Sequence, residues 1–270
     1  MKFTLTGVVL FAMMISAPAS AGVVLQRRQT ITSGGQQRSV EETVMIEGAR
    51  ERRTTKDIDI ITDLDARKVT TVDNTAKSFV ETQYPPPMMP APALAMQLGL
   101  IADFTLQDGQ RMVAGYKCTY YRAMRSNRAA QMKITQCVSV DAPGAAVYHA
   151  FDQKRIDILK SERANVPRHL PPGMPLEMTM SASPVMPNTG ETDPNELRRW
   201  QEMLAKQPTS NTTTEVLKVS VRDLPADTFK VPKGYARVQP KQIIGMPSSR
   251  MPAPGTSLRG GAAPLRRDPN

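Results

Sequence analysis

The sequence predicts an α+β fold in which one large, strongly curved antiparallel sheet packs helices on its concave side. About nine or ten strand-like runs follow one another, short polar turns join nearly all of them, and a few segments have helical spacing. Short connections favour antiparallel pairing. A β-sandwich is the alternative, but its helices would need another surface on which to pack. The chain has 270 residues, of which 40% are hydrophobic, so it can bury one sizeable core.

The N-terminal segment has the pattern of a secretory signal peptide. Lys2 precedes an apolar run from Phe3 to Ile15, and Ala19-Ser20-Ala21 has the small residues of a cleavage site. The run is shorter than the roughly 20 residues that a membrane-spanning helix needs, although an uncleaved anchor is the alternative interpretation. No cysteine lies near the cleavage site, so we expect no lipid anchor. We therefore expect residues 1–21 to be removed and the mature protein to be periplasmic or secreted.

The first strands are predicted directly after this segment. The runs VVLQRRQTIT and RSVEETVMIEG are joined by SGGQQ, which is typical of a turn. Three shorter strands are predicted in DIDIITDLDARKVTTVDNTAKSFVETQ, where Ile58 and Ile60 alternate with Asp57 and Asp59 as in a half-buried strand. The proline-rich run YPPPMMPAPA then breaks regular structure, and a short helix is predicted around Leu94–Leu98.

The only two cysteines of the chain, Cys118 and Cys137, lie in a predicted hairpin. Its strands are Gly115–Met124 and Gln131–Val140, and symmetric pairing about Asn127-Arg128 places the cysteines directly opposite each other. Opposite residues of antiparallel strands have Cα atoms about 4.5–5.5 Å apart, which is within the range of a disulfide. Because an exported protein meets oxidising conditions, we expect a structural disulfide.

The segment after the hairpin is predicted to form a helix and then a strand. The helix follows Asp141, which can cap it, and Phe151 is among the apolar residues of one helical side. In the strand, Leu176, Met178 and Met180 share one face, while the polar residues between them share the other.

A second helix and a last strand follow. The helix begins with the capping sequence DPNE and carries Trp200 on its apolar side. The last strand is TTTEVLKVSVRDL, and its alternation predicts that Leu217, Val219 and Val221 face inward while Val216 faces outward.

Residues 239–270 are expected to form a disordered basic tail. From Lys233 onward, seven basic residues outnumber the single Asp268, and the net charge of the whole chain is +10. The tail is rich in proline, glycine and serine and cannot bury enough apolar surface to fold. A weak contact with an anionic membrane surface is the alternative role for its charge. Export and an aromatic content of 5% argue against nucleic-acid binding.

A series of motifs follows in order between Met45 and Val238. They are IITDLDARKVTTVDNTAKSF, AGYKC, CVSVDAPGAAVYHAF, PPGMPLEMTM followed by TTTEV, and LPADTFKVPKGY. In this order they resemble an uncharacterised secreted domain-of-unknown-function family with a LolA-like fold. The resemblance implies an unclosed antiparallel β-barrel over residues 22–238, with helices as a lid. In the better-known relatives, which carry outer-membrane lipoproteins, the apolar space between sheet and lid holds acyl chains.

The chemistry-bearing residues predict a non-enzymatic protein without a cofactor. The sequence lacks G-x-S-x-G, H-E-x-x-H and a glycine-rich phosphate loop, and its two histidines, His149 and His169, lie in no catalytic motif. A zinc site would need more ligands than these histidines offer. The 17 methionines include Met178-x-Met180, and soft sulfur ligands suit Cu(I). Packing, or lining an apolar pocket of variable shape, is the alternative role for these methionines.

Two classes of function are consistent with these observations. The first is an exported binding module whose half-barrel holds an apolar ligand, such as a lipid or the acyl chain of a lipoprotein. The second is an envelope interaction or stress-response protein with a filled core, which acts through its surface and its basic tail. The cavity predicted for the first class is lined by residues from two helices and two strands: Phe151, Leu176, Met178, Met180, Trp200, Leu217, Val219 and Val221.

Overall fold

The computed structural model describes residues 21–85, 103–126, 130–162, 170–184 and 210–239, together with the separate helical positions Arg198 and Glu202. Four predictions lie outside these residues. They concern the signal peptide up to residue 20, the short helix around Leu94–Leu98, the rest of the capped helix with Trp200, and the tail beyond Gln239.

The described residues form twelve β-strands and one continuous α-helix. In chain order they are β1 (Gly22–Ser33), β2 (Gln36–Glu47), β3 (Arg50–Thr54), β4 (Ile58–Asp63), β5 (Lys68–Asp73), β6 (Ser78–Gln83), β7 (Thr105–Val113), β8 (Tyr116–Ser126), β9 (Ala130–Ser139), α1 (Ala145–Glu162), β10 (Met174–Pro184), β11 (Ser210–Arg222) and β12 (Ala236–Arg237).

All twelve strands belong to a single sheet with the order β12-β6-β5-β4-β3-β2-β1-β11-β10-β9-β8-β7. Neighbours pair antiparallel, except that β12 pairs parallel with β6. The sheet is strongly curved, and it is unclosed because its end strands β12 and β7 do not pair with each other. The predicted curved antiparallel sheet is therefore confirmed and the sandwich alternative is wrong. The placement of helices on the concave side stays a prediction.

Local sequence explains the tight connections between the first strands. Gly34 and Gly35 have φ angles of 57° and 76° and join β1 to β2, and this left-handed conformation favours glycine. In the later turns, the Asp63 carboxylate accepts a hydrogen bond from the Ala66 N–H at 2.8 Å. The Asp73 carboxylate does the same for Thr75 at 2.9 Å. These bonds satisfy backbone groups that the strands cannot.

One face of the sheet, which we call the covered face, packs against α1. Val23 and Leu25 of β1 lie opposite Ile46 and Val44 of β2, and all four are buried together with Phe151 of α1. Burial of an apolar side chain of this size contributes roughly 1.5–3 kcal/mol. This apolar cluster therefore fixes the helix against the centre of the sheet.

The start of α1 depends on a glycine rather than on the predicted cap, Asp141. The first helical hydrogen bond runs from the Tyr148 N–H to the Gly144 carbonyl at 3.0 Å. Gly144 has a φ angle of 77°, and a Cβ atom at this position would lie 2.7 Å from Cγ2 of the buried Val23. Both the backbone conformation and the close approach to β1 therefore require glycine.

The disulfide between Cys118 and Cys137 is confirmed, with Cα atoms 5.2 Å apart. The predicted register of the hairpin is wrong by two residues, because Tyr120 rather than Cys118 lies opposite Cys137. The disulfide therefore joins diagonal positions of β8 and β9. A shift of two residues leaves every side chain on its original face. This is why the cysteines still meet although the register differs.

A β-bulge in β11 changes two of the predicted faces. Successive residues of β1 pair with Val216 and Lys218, so Leu217 is the extra residue. Beyond the bulge, Val219 lies opposite Leu25 and keeps its predicted face. Val216 is buried and Leu217 is 37% exposed, so the predicted faces of these two residues are wrong. Strict alternation along a strand cannot anticipate an inserted residue.

The segment after β11 returns to the far end of the sheet. Arg52 of β3 donates from Nη1 to the Thr228 carbonyl at 2.7 Å, and the Arg50 guanidinium lies 4.7 Å from the centre of the Phe229 ring. The chain then forms β12 beside β6. These contacts attach the LPADTFKVPKGY motif to the strands that precede the helix.

Replacing both Cys118 and Cys137 by alanine is expected to lower the free energy of unfolding by roughly 3 kcal/mol, because the disulfide restricts the unfolded chain. Urea unfolding of the wild type and the double variant, each with and without reductant, measures this loss. Reductant should destabilise the wild type by a similar amount and leave the variant unchanged. Equal midpoints in all four samples would contradict a stabilising role.

Gly144→Ala is expected to lower the Tm more than Gly115→Ala. Both glycines have a positive φ angle, 77° and 84° respectively, so both variants carry the strain of a left-handed residue, about 1–2 kcal/mol. A new Cβ meets Val23 at Gly144, whereas nothing lies within 4 Å of one at Gly115. Thermal unfolding compares the two variants. An equal loss of stability would mean that Val23 moves aside without cost.

Candidate functional site

A cavity of about 310 Å³ lies between α1 and the covered face of the sheet. Strands β1, β2, β3, β9, β10 and β11 contribute to its lining, and so do α1 and the residues just before β10. Two parts of the lining differ in chemistry. The apolar wall comprises Leu176, Met178, Met180 and Val216, and the charged wall comprises Arg27, Glu42, Arg53, Asp152 and Arg155.

Strand β10 supplies most of the apolar wall. Met178 and Met180 are half-buried on one face of the strand, because every second residue points the same way. Leu176 is fully buried and is the extra residue of a β-bulge between Pro175 and Glu177. The amide Nε2 of Gln136 donates to Met178 Sδ at 3.5 Å. Val216 joins this wall from the neighbouring strand because of the bulge at Leu217. Thioether side chains are flexible and polarisable, so this wall can adapt to apolar groups of different shape.

The structure brings three of the predicted cavity residues together. Leu176, Met178 and Met180 all line the cavity. Phe151 belongs instead to the apolar cluster under α1 and does not line the cavity. Its burial fixes the helix that forms the opposite side of the site.

The predicted residues of the second helix and the last strand lie elsewhere. Val219 is partly buried against the apolar cluster. Leu217 is exposed at the bulge, and Val221 is 43% exposed near the end of its strand. Neither of these two residues is part of the lining, and Trp200 lies outside the described residues.

Three ion pairs build or support the charged wall. Arg27 donates from Nε and Nη2 to one oxygen of Glu42, at 3.1 and 2.7 Å, across the β1–β2 pair. Within α1, the guanidinium of Arg155 lies 2.7 Å from the carboxylate of Asp152. Arg53 of β3 pairs with Glu51 two residues earlier on the same face. Glu51 is buried and lies behind the lining rather than in it.

Burial and neighbouring charges shift the acidities of this wall in different directions. Burial alone would raise the pKa of Glu51, but the nearby guanidinium groups of Arg53 and Arg155 hold this pKa below its usual value. Burial raises the pKa of Asp152, and the attraction of Arg155 only partly offsets this effect. Burial also raises the pKa of Tyr148, whose ring lies in the lining, to about 12. The pKa of Glu51, behind the wall, is thus lowered, whereas Asp152, in the wall, binds a proton more readily than an ordinary aspartate does.

Sequence reasoning missed the charged wall. The run RERRT of β3 resembles an exposed polar strand, although Glu51 and Arg53 pair with the covered-face positions Ile46 and Val44. In α1, Asp152 follows Tyr148 by four residues and so lies on the buried helical side. A charged residue within an apolar helical stripe was the signal that could have indicated a polar site.

Two of the methionines considered for a Cu(I) site line the cavity, and a third does not. Met178 and Met180 line the cavity together with the half-buried His149. Met174 is fully buried and does not line the cavity. Within the described ranges, no group of three or more His, Cys, Asp and Glu side chains is placed to hold a metal ion.

No helix in the described part of the chain is long and apolar enough to cross a membrane. No protein family profile matches the chain, and no curated protein matches it.

Several solved structures are similar to the chain. The structure of PNGF-II has 8% identity and a TM-score of 0.34, and the match covers 83% of this chain and 32% of that protein. The chain thus spans about a third of the length of PNGF-II. The LolA superfamily protein NE2245 from Nitrosomonas europaea has 10% identity and a TM-score of 0.31, with coverage of 79% and 91%. A DUF1329 family protein from Desulfovibrio piger has 8% identity and a TM-score of 0.24, with the same coverage.

The TM-scores are all below 0.5, so the strand order and pairing of this chain alone define its fold. The chemistry of the site likewise follows from its own residues.

Glu51→Gln is expected to reduce the loss of stability in acid. A carboxyl group whose pKa is lowered by folding stabilises the protein above the unfolded pKa, and this contribution is lost as the pH falls. Urea midpoints at neutral pH and at about pH 3 should therefore differ less in the variant than in the wild type. At neutral pH the variant should be less stable, because Arg53 loses its buried partner.

Glu41→Gln is the matched control for this comparison. Glu41 pairs with Arg28 at 2.8 Å on the neighbouring position of the same two strands, but the pair is exposed. Exposed pairs contribute roughly 0–1 kcal/mol, so this variant should keep the acid response of the wild type. An acid response of Glu51→Gln that equals the wild type would contradict the assignment.

Proposed function

We propose that this protein is an exported, non-enzymatic binding protein that holds the apolar part of a small lipid-like ligand in the cavity under α1. The apolar wall of the cavity is the observation that carries the proposal, because Met178 and Met180 pack against Ala123 and Ile134 and still line open space. The cavity volume of about 310 Å³ lies at the lower end of the range for small-molecule sites, roughly 300–1,000 Å³.

The adaptable side chains of this wall favour ligands with flexible apolar chains. Methionine fits groups of different shape at little cost, whereas branched side chains in a rigid sheet fit one shape. A lipid or an acyl chain has this flexibility. The alternative, an interaction protein with a filled core, requires no open space at this position, so the cavity favours the binding function.

Export remains part of the proposal. The disulfide between Cys118 and Cys137 is typical of an oxidising compartment. The predicted removal of residues 1–21 and a periplasmic or secreted location agree with it. We also propose that residues 22–238 form the binding domain and that the basic tail adds at most a weak contact with a membrane surface.

Met178→Glu is expected to weaken binding of the fluorescent apolar probe N-phenylnaphthylamine by at least about tenfold, because the new carboxylate would be desolvated by the probe. Leu217→Glu is the matched control, since Leu217 is exposed at the bulge and is not part of the lining. Titration of the probe into the wild type and both variants measures the effect. Circular dichroism of each variant establishes that it is folded.

Two outcomes of this titration would contradict the proposal. If folded Met178→Glu binds the probe as tightly as the wild type, or if Leu217→Glu loses as much affinity, the ligand does not occupy this cavity. If the wild type binds no probe, the binding function itself is wrong.

A further inference from the structure

The charge of the cavity lining is unbalanced at the surface that a ligand would touch. Arg27, Arg53 and Arg155 contribute three guanidinium groups, while Glu42 and Asp152 contribute two carboxylates. The third carboxylate of the network, that of Glu51, is buried behind Arg53. A ligand in the cavity therefore meets more positive than negative charge, although the whole network is balanced.

The position of Arg27 makes its guanidinium the most direct candidate for ligand contact. Its Nε and Nη2 groups are engaged by one oxygen of Glu42. The Nη1 group takes no part in this pair, and it carries two of the five N–H donors of the guanidinium. Arg27 and Val216 pair across β1 and β11, so the charged wall meets the apolar wall at this point.

We propose that the charged wall receives the anionic head group, a carboxylate or a phosphate, of a single-chain amphiphile whose apolar part lies against Met178 and Met180. This inference rests on the proposed function and names its ligand class. Guanidinium groups bind carboxylate and phosphate oxygens through parallel, charge-assisted hydrogen bonds. A cavity of about 310 Å³ favours a ligand with one chain over a ligand with several.

Burial strengthens the preference for an anionic group. Opposite charges attract more strongly when they are shielded from water, and Arg155 and Asp152 are both largely buried. Because burial raises the pKa of Asp152, approach of an anion is also favoured by uptake of a proton at this carboxyl. A cationic or neutral head group would lack these interactions and would still have to lose its hydration.

The test compares four amphiphiles that share one apolar chain. Lauric acid, dodecyl phosphate, dodecanol and dodecyltrimethylammonium are titrated into the mature full chain below their micelle concentrations, with calorimetric detection. We expect the two anions to bind at least about tenfold more tightly than the alcohol and the cation, as lost charge-assisted hydrogen bonds imply. Equal affinity for all four would overturn the head-group site but keep the apolar site. Failure of all four to bind would overturn the proposed function as well.

Arg27→Gln tests the residue itself. Glutamine can still donate to Glu42, but the excess positive charge of the lining disappears. The affinity for laurate should fall by at least about tenfold, while that for dodecanol stays unchanged. Arg27→Lys should restore much of the preference. Arg28→Gln is the matched control, because Arg28 pairs with Glu41 on the opposite face of the same strands.

Further outcomes separate the remaining explanations. A preference for anions that persists unchanged in Arg27→Gln would overturn the assignment of the head group to this wall. Should Arg27→Gln not fold, the four-ligand comparison on the wild type decides the head-group preference and Arg27→Lys decides the dependence on this position. Inorganic phosphate serves as a competitor without a chain. If it displaces laurate as effectively as dodecyl phosphate does, the site takes a free anion and the amphiphile proposal is wrong.

Discussion

Buried guanidinium–carboxylate pairs lie between α1 and the covered face, and the open space at the site depends on them. A charge that is removed from water without a partner costs several kcal/mol, so Arg155 and Asp152 stay together within the helix. The same holds for Arg27 and Glu42 across two strands. The hydrogen bonds of these pairs fix the positions of their side chains, so the side chains cannot move to fill the space beside them. The helix therefore packs on the sheet through Phe151, and its neighbouring turn carries the Asp152–Arg155 pair.

Burying these guanidinium–carboxylate pairs costs desolvation free energy that stability alone does not explain. Apolar residues of similar volume often stabilise a protein as well as a buried ion pair does, and they would also close the cavity. The sheet already has an apolar cluster around Leu25 and Ile46 that holds α1. Charged residues next to this cluster therefore reduce packing without an obvious gain for the fold. Their place in the lining is most simply explained by a ligand with a polar part.

The bulge in β11 connects the two walls. With regular alternation, Leu217 would face the cavity and Val216 would face solvent, as the sequence predicted. The extra residue places Val216 opposite Arg27 instead, and Thr214 on the same face is buried beside it. A medium-sized apolar side chain next to a guanidinium leaves room that a leucine would fill. A local irregularity of the backbone thus shapes the junction between apolar and charged surface.

The sequence predicts those features that depend on interactions between residues close together in the chain. Alternation along β10 predicts that Met178 and Met180 share a face, and the presence of two cysteines in one hairpin predicts the disulfide. The hairpin register, the bulge and the charged wall depend on pairing between distant segments, so they could not be predicted. Glu51 illustrates the reason: its strand has the composition of a surface strand, and only the approach of a helix about a hundred residues later buries it. The alternation of residues along a strand predicts which side chains share a face, but contacts with distant segments determine whether that face is buried.

The disulfide also fixes the strand that positions the apolar wall. Cys137 and Gln136 are neighbours on β9 and point to opposite faces, since side chains alternate along a strand. The disulfide holds Cys137 to β8, and Gln136 donates to Met178 Sδ on the cavity side. The strand is thus fixed from one face while it positions the apolar wall from the other. A ligand that binds only the folded state stabilises it by about 2.7 kcal/mol at a concentration of a hundred times its Kd. This is similar to the roughly 3 kcal/mol expected of the disulfide. A ligand of the proposed kind at that concentration would therefore add about as much stability as the covalent bond does.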